Sequence, residues 1–590
     1  MCGIVGYVGN KQRVKFLIET LSKLEYRGYD SAGFASLEKG KIKTIKKSGN
    51  IQNLIGEIKD DEMFETGIAH TRWATHGVAN EINAHPHVSN GGEWAVVHNG
   101  IIENYNELKI KYGLRLKSET DTAVVSELLE IKNTKTIDEF INVFNEICGS
   151  FAIAAISKNK EKTMFLAKQK SPLYVSENMR HDFMVASDPI CFLGFSNSYY
   201  TLDDGEFAKI ENGSVKFFND KKESVLKEVE KLEGVFEDTC KGDYSHFMIK
   251  EIMEEKNAIL RLVDVYKSKQ IMERFDDWFL AKFNEVKLIG CGTAYHAGLM
   301  GAKFIQKILG KKASAEMASE FIYSQPNFVS KKTLYIFVSQ SGETADTLQA
   351  LEVVRKAGAT AIALTNVLYS SLAKKSDFVL PISAGVEIAV ASTKAYVCML
   401  AALYLFCEYF KSSNDYFLAF SKLENLAENI LNFNIQKLDM FAEKIKSNSS
   451  AVFIGKDMDY VTALEASLKL KEVSYINANA YPSGELKHGF LALVEKGTPV
   501  FVFANQKEIN LKTINSMHEA ESRGGEGFVF TNNDCFEFKN QITISNDDEI
   551  LSQIEIISAM QYLAYKVSTL KKINPDQPRN LAKSVTVEWV

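Results

Sequence analysis

Over roughly its first 220 residues the chain alternates short β-branched and aromatic runs with turn signals, as in Trp94-Ala95-Val96-Val97-His98, then Asn99-Gly100, then Ile101-Ile102. That pattern predicts strands, and Asn99-Gly100 by itself predicts a tight turn between two of them. From 221 to 231 the pattern becomes charged, followed by Lys241-Gly242-Asp243. A solvated helix and a connecting segment, with a domain boundary inside, are expected there. Beyond this point a longer pattern repeats. Val286-Lys287-Leu288-Ile289-Gly290 and Tyr295 match Ala451-Val452-Phe453-Ile454-Gly455 and Tyr460, and residues 333–338 match 498–503. Both stretches run on to a Thr-Asn pair, at 365–366 and 531–532, so the offset stays at 165 to 166 residues. Each copy reads as an apolar strand, a loop, a helix of about 15 residues and another strand, which means a parallel sheet flanked by helices. Ligands of such folds lie at the carboxyl ends of the strands, near helix N-termini.

A chain of 590 residues exceeds one ordinary core and predicts several domains. The net charge of −6 argues against a nucleic-acid surface. The eight cysteines form no CxxC pair, which points away from a disulfide framework or a thiolate zinc site and toward a reducing compartment. The head of the chain lacks a basic and then apolar leader, so no signal peptide is expected. The longest uncharged apolar run, 395–407 between Lys394 and Glu408, falls short of the roughly 20 residues a membrane span needs and predicts a buried helix. A cytoplasmic protein with no metal, no cofactor, no nucleic acid and no membrane partner is the expectation.

Cys2 carries the sharpest chemistry. Methionine before a small residue is commonly removed, which would leave the Cys2 α-amine free to act as general base for its own thiol; by itself the residue also fits a small apolar position heading a strand. Tyr26-Arg27-Gly28-Tyr29-Asp30-Ser31-Ala32-Gly33, His70-Thr71-Arg72-Trp73-Ala74-Thr75-His76-Gly77, His98-Asn99-Gly100 and Glu119-Thr120-Asp121 then occur in this order. Together they resemble the class II glutamine amidotransferases, whose glutaminase domain has the N-terminal nucleophile hydrolase fold, an αββα sandwich. The resemblance implies glutamine as substrate, Cys2 as nucleophile, and the Asn99 side chain and Gly100 N–H as oxyanion donors. Arg72 can fork onto the α-carboxylate of glutamine and Asp121 can pair with its ammonium; without the resemblance the two would read as a surface ion pair. Trp73, Thr75 and His76 complete the implied glutamine site, with the tryptophan at the mouth of an ammonia channel.

In the second half, Ser339-Gln340-Ser341-Gly342-Glu343-Thr344 follows an apolar strand and precedes a helix. Hydroxyls and N–H groups clustered at a helix start suit a phosphomonoester, whereas capping by Ser341 would explain one serine. With Cys291-Gly292-Thr293 and Val390-Ala391-Ser392-Thr393 this segment resembles the SIS (sugar isomerase) domain. Implied sugar-phosphate contacts are Thr293, Ser339, Gln340, Ser341, Thr344, Val390, Ser392 and Lys469. The second copy has Lys456-Asp457-Met458 and Asn505-Gln506-Lys507 at the matching loops and is expected to bind no phosphate. Glu465, Lys469 and Glu472 share a helix face and alone would be a salt-bridge pattern; the resemblance makes Glu472 the base that moves a proton between C1 and C2 of the sugar. It likewise makes His488, in Ser483-Gly484-Glu485-Leu486-Lys487-His488-Gly489, the ring-opening acid/base. The tail Asp576-Gln577-Pro578-Arg579-Asn580-Leu581-Ala582-Lys583-Ser584-Val585-Thr586-Val587-Glu588 resembles that of the glucosamine-6-phosphate synthases, in which Lys583 would form a Schiff base with the open-chain ketose. Val585 and Val587 alternate with Ser584 and Thr586, predicting an extended, half-buried segment.

The resemblance runs from Cys2 to Glu588 and implies an α/β and α+β multidomain protein: a glutamine amidotransferase domain at 1–220, a linker at 221–250, SIS domains at 276–415 and 444–580, and a catalytic tail at 581–590. It implies ammonia transfer from glutamine to fructose 6-phosphate by a homodimer. Ala294, Phe490, Glu255-Lys256 and Trp589-Val590 depart from the family pattern. An amidophosphoribosyltransferase would need a pyrophosphate loop, and an asparagine synthetase a Ser-Gly-Gly-type ATP loop; neither occurs. A SIS-type sugar-phosphate sensor would have no need of Lys583, Glu472 and His488.

Overall fold

The strand Gly3–Arg13 is buried over Gly3 to Val8 and exposed beyond, which sets its apolar head in the middle of a sheet. The computed structural model containing it describes residues 2–25, 28–73, 77–232, 240–276, 278–324, 326–533 and 535–585. Around that strand the antiparallel order is Glu230–Lys231, Ser198–Thr201, Tyr174–Glu177, Phe183–Ala186, Gly3–Arg13, Met63–Arg72, Ser31–Glu38, Lys41–Ser48. A second antiparallel sheet holds Ser224–Val225, Ser214–Phe218, Glu206–Glu211, Thr163–Gln169, Gly149–Ser157, Trp94–Ile102 and His87–Val88. Ile4, Ile68, Val97, Ile156, Leu166 and Val185 pack together between the sheets. Val14–Ser22 and Ile51–Ile55 pack on the first sheet, while Ala123–Ile131 and Ile137–Phe144 cover the second through Leu128, Phe140 and Phe165. Inward and outward faces of both sheets are thus apolar, and the result is the expected αββα sandwich.

Two expectations fail in this unit. Asn99-Gly100 makes no turn, because Trp94–Ile102 is one strand paired along its length with Gly149–Ser157. Gly100 has φ +140°, and a Cβ there would lie 1.9 Å from the Ser150 carbonyl oxygen; glycine serves a close approach of two backbones, not a reversal. The charged stretch is no helix either, since Ser224–Val225 and Glu230–Lys231 are short edge strands. Most of its charges are solvated as expected, but two are paired: Lys227 lies 2.7 Å from Asp203 and 2.9 Å from Glu206, and Glu230 accepts the Thr201 hydroxyl at 2.5 Å.

The chain divides into Met1–Cys240 with the tail from Ala582 on, and Lys241–Leu581. The second unit contains two parallel sheets with one strand order. The first runs Lys312–Met317, Glu285–Gly290, Thr333–Ser339, Ala361–Thr365, Phe378–Pro381; the other Asn477–Pro482, Ser450–Gly455, Pro499–Phe503, Glu526–Thr531, Gln541–Thr543. The helices that follow the second strand of each, Thr293–Leu309 and Met458–Ser474, both have 17 residues. The repeat read from the sequence is therefore a repeat of structure. Lys394–Lys411 is buried from Lys394 through Glu408, as the 395–407 run predicts, and shares one continuous core with Leu551–Leu570 and both sheets. No helix among the described residues is long and apolar enough to cross a membrane.

Candidate active sites

Strand alternation places His70 and Arg72 on one face of Met63–Arg72, and pairing of Gly3 with Thr71 brings the head of the chain beside them. The Trp73 N–H donates to Cys2 Sγ at 3.3 Å. The Asn99 side-chain amide donates to the Cys2 carbonyl at 2.9 Å. A cleft at this point is lined by Cys2, Arg72, Trp73, Gly100 and Asp121, with His85, His98, Thr120 and Thr122 behind them. Arg72 is only 3% exposed; its guanidinium faces the Gly77 and Val78 carbonyls at 3.4 and 3.5 Å, and Cys2, Asp30 and Asp121 bear on its charge. Asp121 is fixed by the Ile102 N–H at 2.7 Å. Trp73 stands edge-on to Tyr29, ring centres 5.5 Å apart. Thr75 and His76 lie outside the described residues. Burial pushes the Cys2 thiol up, and the Trp73 N–H works against that, so the thiol needs a base to become a nucleophile.

His70 was passed over in the sequence. Its Nε2 lies 3.0 Å from the His98 carbonyl and 3.1 Å from Asn99 Oδ1. Two acceptors put the proton on Nε2, and that N–H turns the Asn99 amide so that its NH2 faces Cys2. Burial lowers His70 to about 3, which leaves the ring neutral at ordinary pH. The available signal was its place two residues before Arg72 on the same strand face.

In the second unit Ser339 ends a strand, and its hydroxyl accepts the Gly342 N–H at 3.0 Å and lies 3.3 Å from the Thr344 hydroxyl. Gly342 has φ +66°, and a Cβ would lie 2.1 Å from Ser370 Oγ, so the loop closes only on glycine. Ser341 does not cap the helix: Ala345–Lys356 begins after Thr344, and Ser341 Oγ takes the Glu343 N–H at 3.2 Å inside the loop. The Gln340 carbonyl accepts the Asn366 N–H at 3.1 Å. Glu387, which no sequence signal marked, holds the other predicted loop by accepting from the Ser392 hydroxyl, the Thr393 N–H and the Ala395 N–H at 3.1, 2.9 and 3.0 Å. The Val390 N–H goes to the Asp576 carbonyl at 3.1 Å. Ser339 ends a strand and Thr293 and Val390 follow the carboxyl ends of others in the same sheet, the edge where parallel folds bind ligands.

Where the two repeats meet, Thr293 and His296 of one helix face Glu465 and Lys469 of the other. Lys469 is wholly buried and lies 3.0 Å from Thr293 Oγ1, 3.3 Å from Glu465 and 2.7 Å from Glu472. The Thr293 hydroxyl donates to Glu465 at 3.0 Å, and His296 Nδ1 is 2.8 Å from the other Glu465 oxygen. Burial would lower Lys469, but the two carboxylates outweigh it and hold the ammonium above its usual range. Burial would raise Glu465, but Lys469 and His296 hold it below its usual value. Both groups are therefore charged. His488 is exposed on the turn Ser483–His488, and among the described residues its ring bonds to none of this cluster. Lys583 is half-buried in the tail that groups with the first unit. Ser584 is buried and Val585 is 56% exposed, the reverse of the expected alternation; Val587 lies outside the described residues.

At the matching place in the second repeat stands Asp459, buried, accepting from the Asn505 N–H at 3.1 Å, Gln506 Nε2 at 3.3 Å and Gln553 Nε2 at 2.9 Å. An internal carboxylate thus occupies these donors. Phe490 packs on Tyr481, ring centres 4.2 Å apart. Glu255 is wholly buried.

The family pattern described as SIS domain matches residues 279–409 and 444–550, and the one described as glutamine amidotransferase domain matches 70–194. Curated relatives include a protein of Fusobacterium nucleatum subsp. nucleatum, 38% identical over 613 residues, and one of Caldanaerobacter subterraneus subsp. tengcongensis, 40% identical over 611. Each alignment covers 100% of both chains, and both relatives are named glutamine–fructose-6-phosphate aminotransferase (isomerizing). Among solved structures, the C-terminal domain of glucosamine-fructose-6-phosphate aminotransferase from Francisella tularensis is 32% identical and superposes with a TM-score of 0.54 over 57% of this chain and 100% of that one.

Proposed function

The chain belongs to the glutamine–fructose-6-phosphate aminotransferase (isomerizing) family, and from that premise we propose which residues carry its two chemistries. The enzyme hydrolyses glutamine and transfers the ammonia to fructose 6-phosphate with isomerisation, giving glutamate and glucosamine 6-phosphate, a step of hexosamine metabolism.

In the glutaminase half, Arg72 takes the glutamine α-carboxylate and Asp121 its ammonium, with Thr75 and His76 assigned from the family pattern. The Cys2 α-amine removes the thiol proton, and the sulfur attacks the side-chain amide. The developing oxyanion meets the Asn99 NH2 and the Gly100 N–H. The α-ammonium then returns its proton to the leaving nitrogen, ammonia departs past Trp73, and water cleaves the thioester to glutamate. In the sugar half, Ser339, Gln340, Ser341 and Thr344 take the phosphate, and Thr293, Val390 and Ser392 line the sugar. His488 opens the ring and Lys583 forms a Schiff base at the C2 carbonyl of the open chain, releasing water; ammonia then adds at C2 and expels the lysine amine, and Glu472 carries a proton from C1 to C2, leaving nitrogen on C2 and a carbonyl at C1. Lys469 lies 2.7 Å from Glu472, so its part is to hold that carboxylate in place. A cytoplasmic homodimer is the proposed setting; the eight free thiols support the compartment, and the dimer rests on the family resemblance.

The observation that carries this reading is the Asn99 amide set on Cys2, an oxyanion donor beside a nucleophile. Incubation with glutamine and fructose 6-phosphate should give glutamate and glucosamine 6-phosphate in equal amounts. Glutamate without amino sugar, under any condition that supports hydrolysis, would overturn it.

A further inference from the structure

His296, its side chain 13% exposed, takes no part in the steps above. We propose that His296 is a positioning residue for the isomerisation, its Nδ1–H holding the Glu465 carboxylate and, through it, the Lys469–Glu472 pair. The inference rests on the sugar-site reading and deepens it.

The argument is one of donors and acceptors. A carboxylate only accepts, so at 2.8 Å from Glu465 the Nδ1 of His296 carries the proton. The other Glu465 oxygen takes the Thr293 hydroxyl at 3.0 Å. That hydroxyl in turn accepts from Lys469 at 3.0 Å, which commits its proton to Glu465 and leaves it only acceptor capacity toward a sugar. Both oxygens of Glu465 are therefore tied to the first repeat's helix, although Glu465 itself stands on the second's. Lys469 lies between two carboxylates, 3.3 Å from Glu465 and 2.7 Å from Glu472. With Glu465 tethered by His296, the ammonium leans to Glu472, the group that must take up a proton. Without that tether Glu465 can swing to Lys469 and draw it off. The charged and titratable groups facing Glu465 are Lys469 on its own helix, His296 on Thr293–Leu309 and Tyr396 on Lys394–Lys411; Glu472 meets Lys469.

Loss of the tether lets the Lys469 ammonium move from Glu472 toward Glu465, and a carboxylate that loses a neighbouring cation is protonated more readily, so the acid limb of the isomerisation should move to higher pH. The test follows deuterium entering the sugar when the full-length enzyme is held with fructose 6-phosphate in heavy water. His296→Leu should slow exchange roughly 10- to 100-fold, the range for losing a charge-assisted hydrogen bond, and shift its acid limb upward. His296→Asn, whose side-chain NH2 can replace Nδ1–H, should restore most of the rate and the original limb. Glutamine hydrolysis, on the other unit, should be unchanged in both, and melting curves matching the parent's report folding of the substituted unit. An Asn variant as slow as the Leu variant, or a Leu variant with unshifted pH profile, overturns the proposal. Glu472→Gln run in parallel separates the two readings: if it too exchanges at the parent rate, the sugar-site reading has failed rather than the role of His296.

Discussion

The Asn99 amide nitrogen lies 2.9 Å from the Cys2 carbonyl oxygen, and His70 holds the other end of that amide at 3.1 Å. The amide therefore cannot turn its oxygen toward Cys2 without placing it against an acceptor and losing the His70 bond. Asn99→Ala should lower kcat for glutamine hydrolysis about 100- to 1000-fold, as removal of one oxyanion donor does elsewhere, with little change in KM. Glutamate release at saturating glutamine is the measurement. An unchanged kcat would remove Asn99 from the oxyanion site.

Cys2→Ala should abolish glutamate release and leave exchange of the fructose 6-phosphate hydrogens with solvent intact. The nucleophile stands on one unit, whereas Ser339, Glu465, Lys469 and Glu472 stand on the other. Loss of both activities in a folded variant would count against that division.

Glu472→Gln keeps the shape of the side chain but cannot accept a proton, so exchange at C1 and C2 should cease while glutamine hydrolysis continues. Lys469, 2.7 Å away, would then face a neutral amide and keep only Glu465 as its anion. Exchange at the parent rate would make Glu472 a structural partner of Lys469 and nothing more.

The parallel repeat was legible because a strand-loop-helix unit writes its period into the sequence, and the 165-residue offset reappears in strands that start at 285 and 450. Motif residues such as Cys2, Arg72, Asn99 and Asp121 were legible because their chemistry demands particular side chains. What failed depended on distant partners. Asn99-Gly100 announces a positive φ but not that the strand runs straight on past Ser150. The 221–231 charges announce polarity but not Asp203 and Glu206 waiting for Lys227. His296 meets Glu465 across 169 residues. Local pattern holds no trace of such contacts.

Glu255, wholly buried, has a testable consequence for stability. Burial raises its carboxyl to about 8, with Glu387 adding to the effect and Ser558 and Gln561 opposing it. A carboxyl raised in the folded state contributes fully below its unfolded value, and that contribution is lost as pH rises toward 8. Glu255→Gln removes the titration. The variant should match the parent near pH 4.5 and become the more stable as pH rises, by on the order of 3 kcal/mol at pH 7. Melting curves of both proteins across pH 5 to 8.5 decide it. A constant difference in Tm would show that Glu255 keeps an ordinary pKa.

The tail separates anchoring from chemistry. Asp576 accepts from the Phe247 and Met248 N–H groups at 2.9 and 2.8 Å, and the Arg579 guanidinium lies 4.2 Å over the Tyr475 ring. The Arg579 N–H also donates to the Tyr475 hydroxyl at 2.7 Å. These contacts fix the chain as far as Arg579 within its own unit, and chain ends so tied do not fray. Ending the chain after Asn580 therefore keeps every one of these anchors and removes Lys583. Such a truncation should fold, continue to hydrolyse glutamine and make no glucosamine 6-phosphate, because the Schiff-base lysine is gone. Trp589 and Val590, beyond the family's tail signature, lie outside the described residues; deleting those two alone should leave synthesis near the parent rate. Borohydride reduction in the presence of fructose 6-phosphate gives a direct readout, since it should fix a sugar to the parent at Lys583 and to neither the truncated chain nor a Lys583→Arg variant. Amino sugar from the truncated chain would show that Lys583 forms no essential Schiff base. Loss of synthesis on removal of Trp589 and Val590 alone would make the extension part of the site.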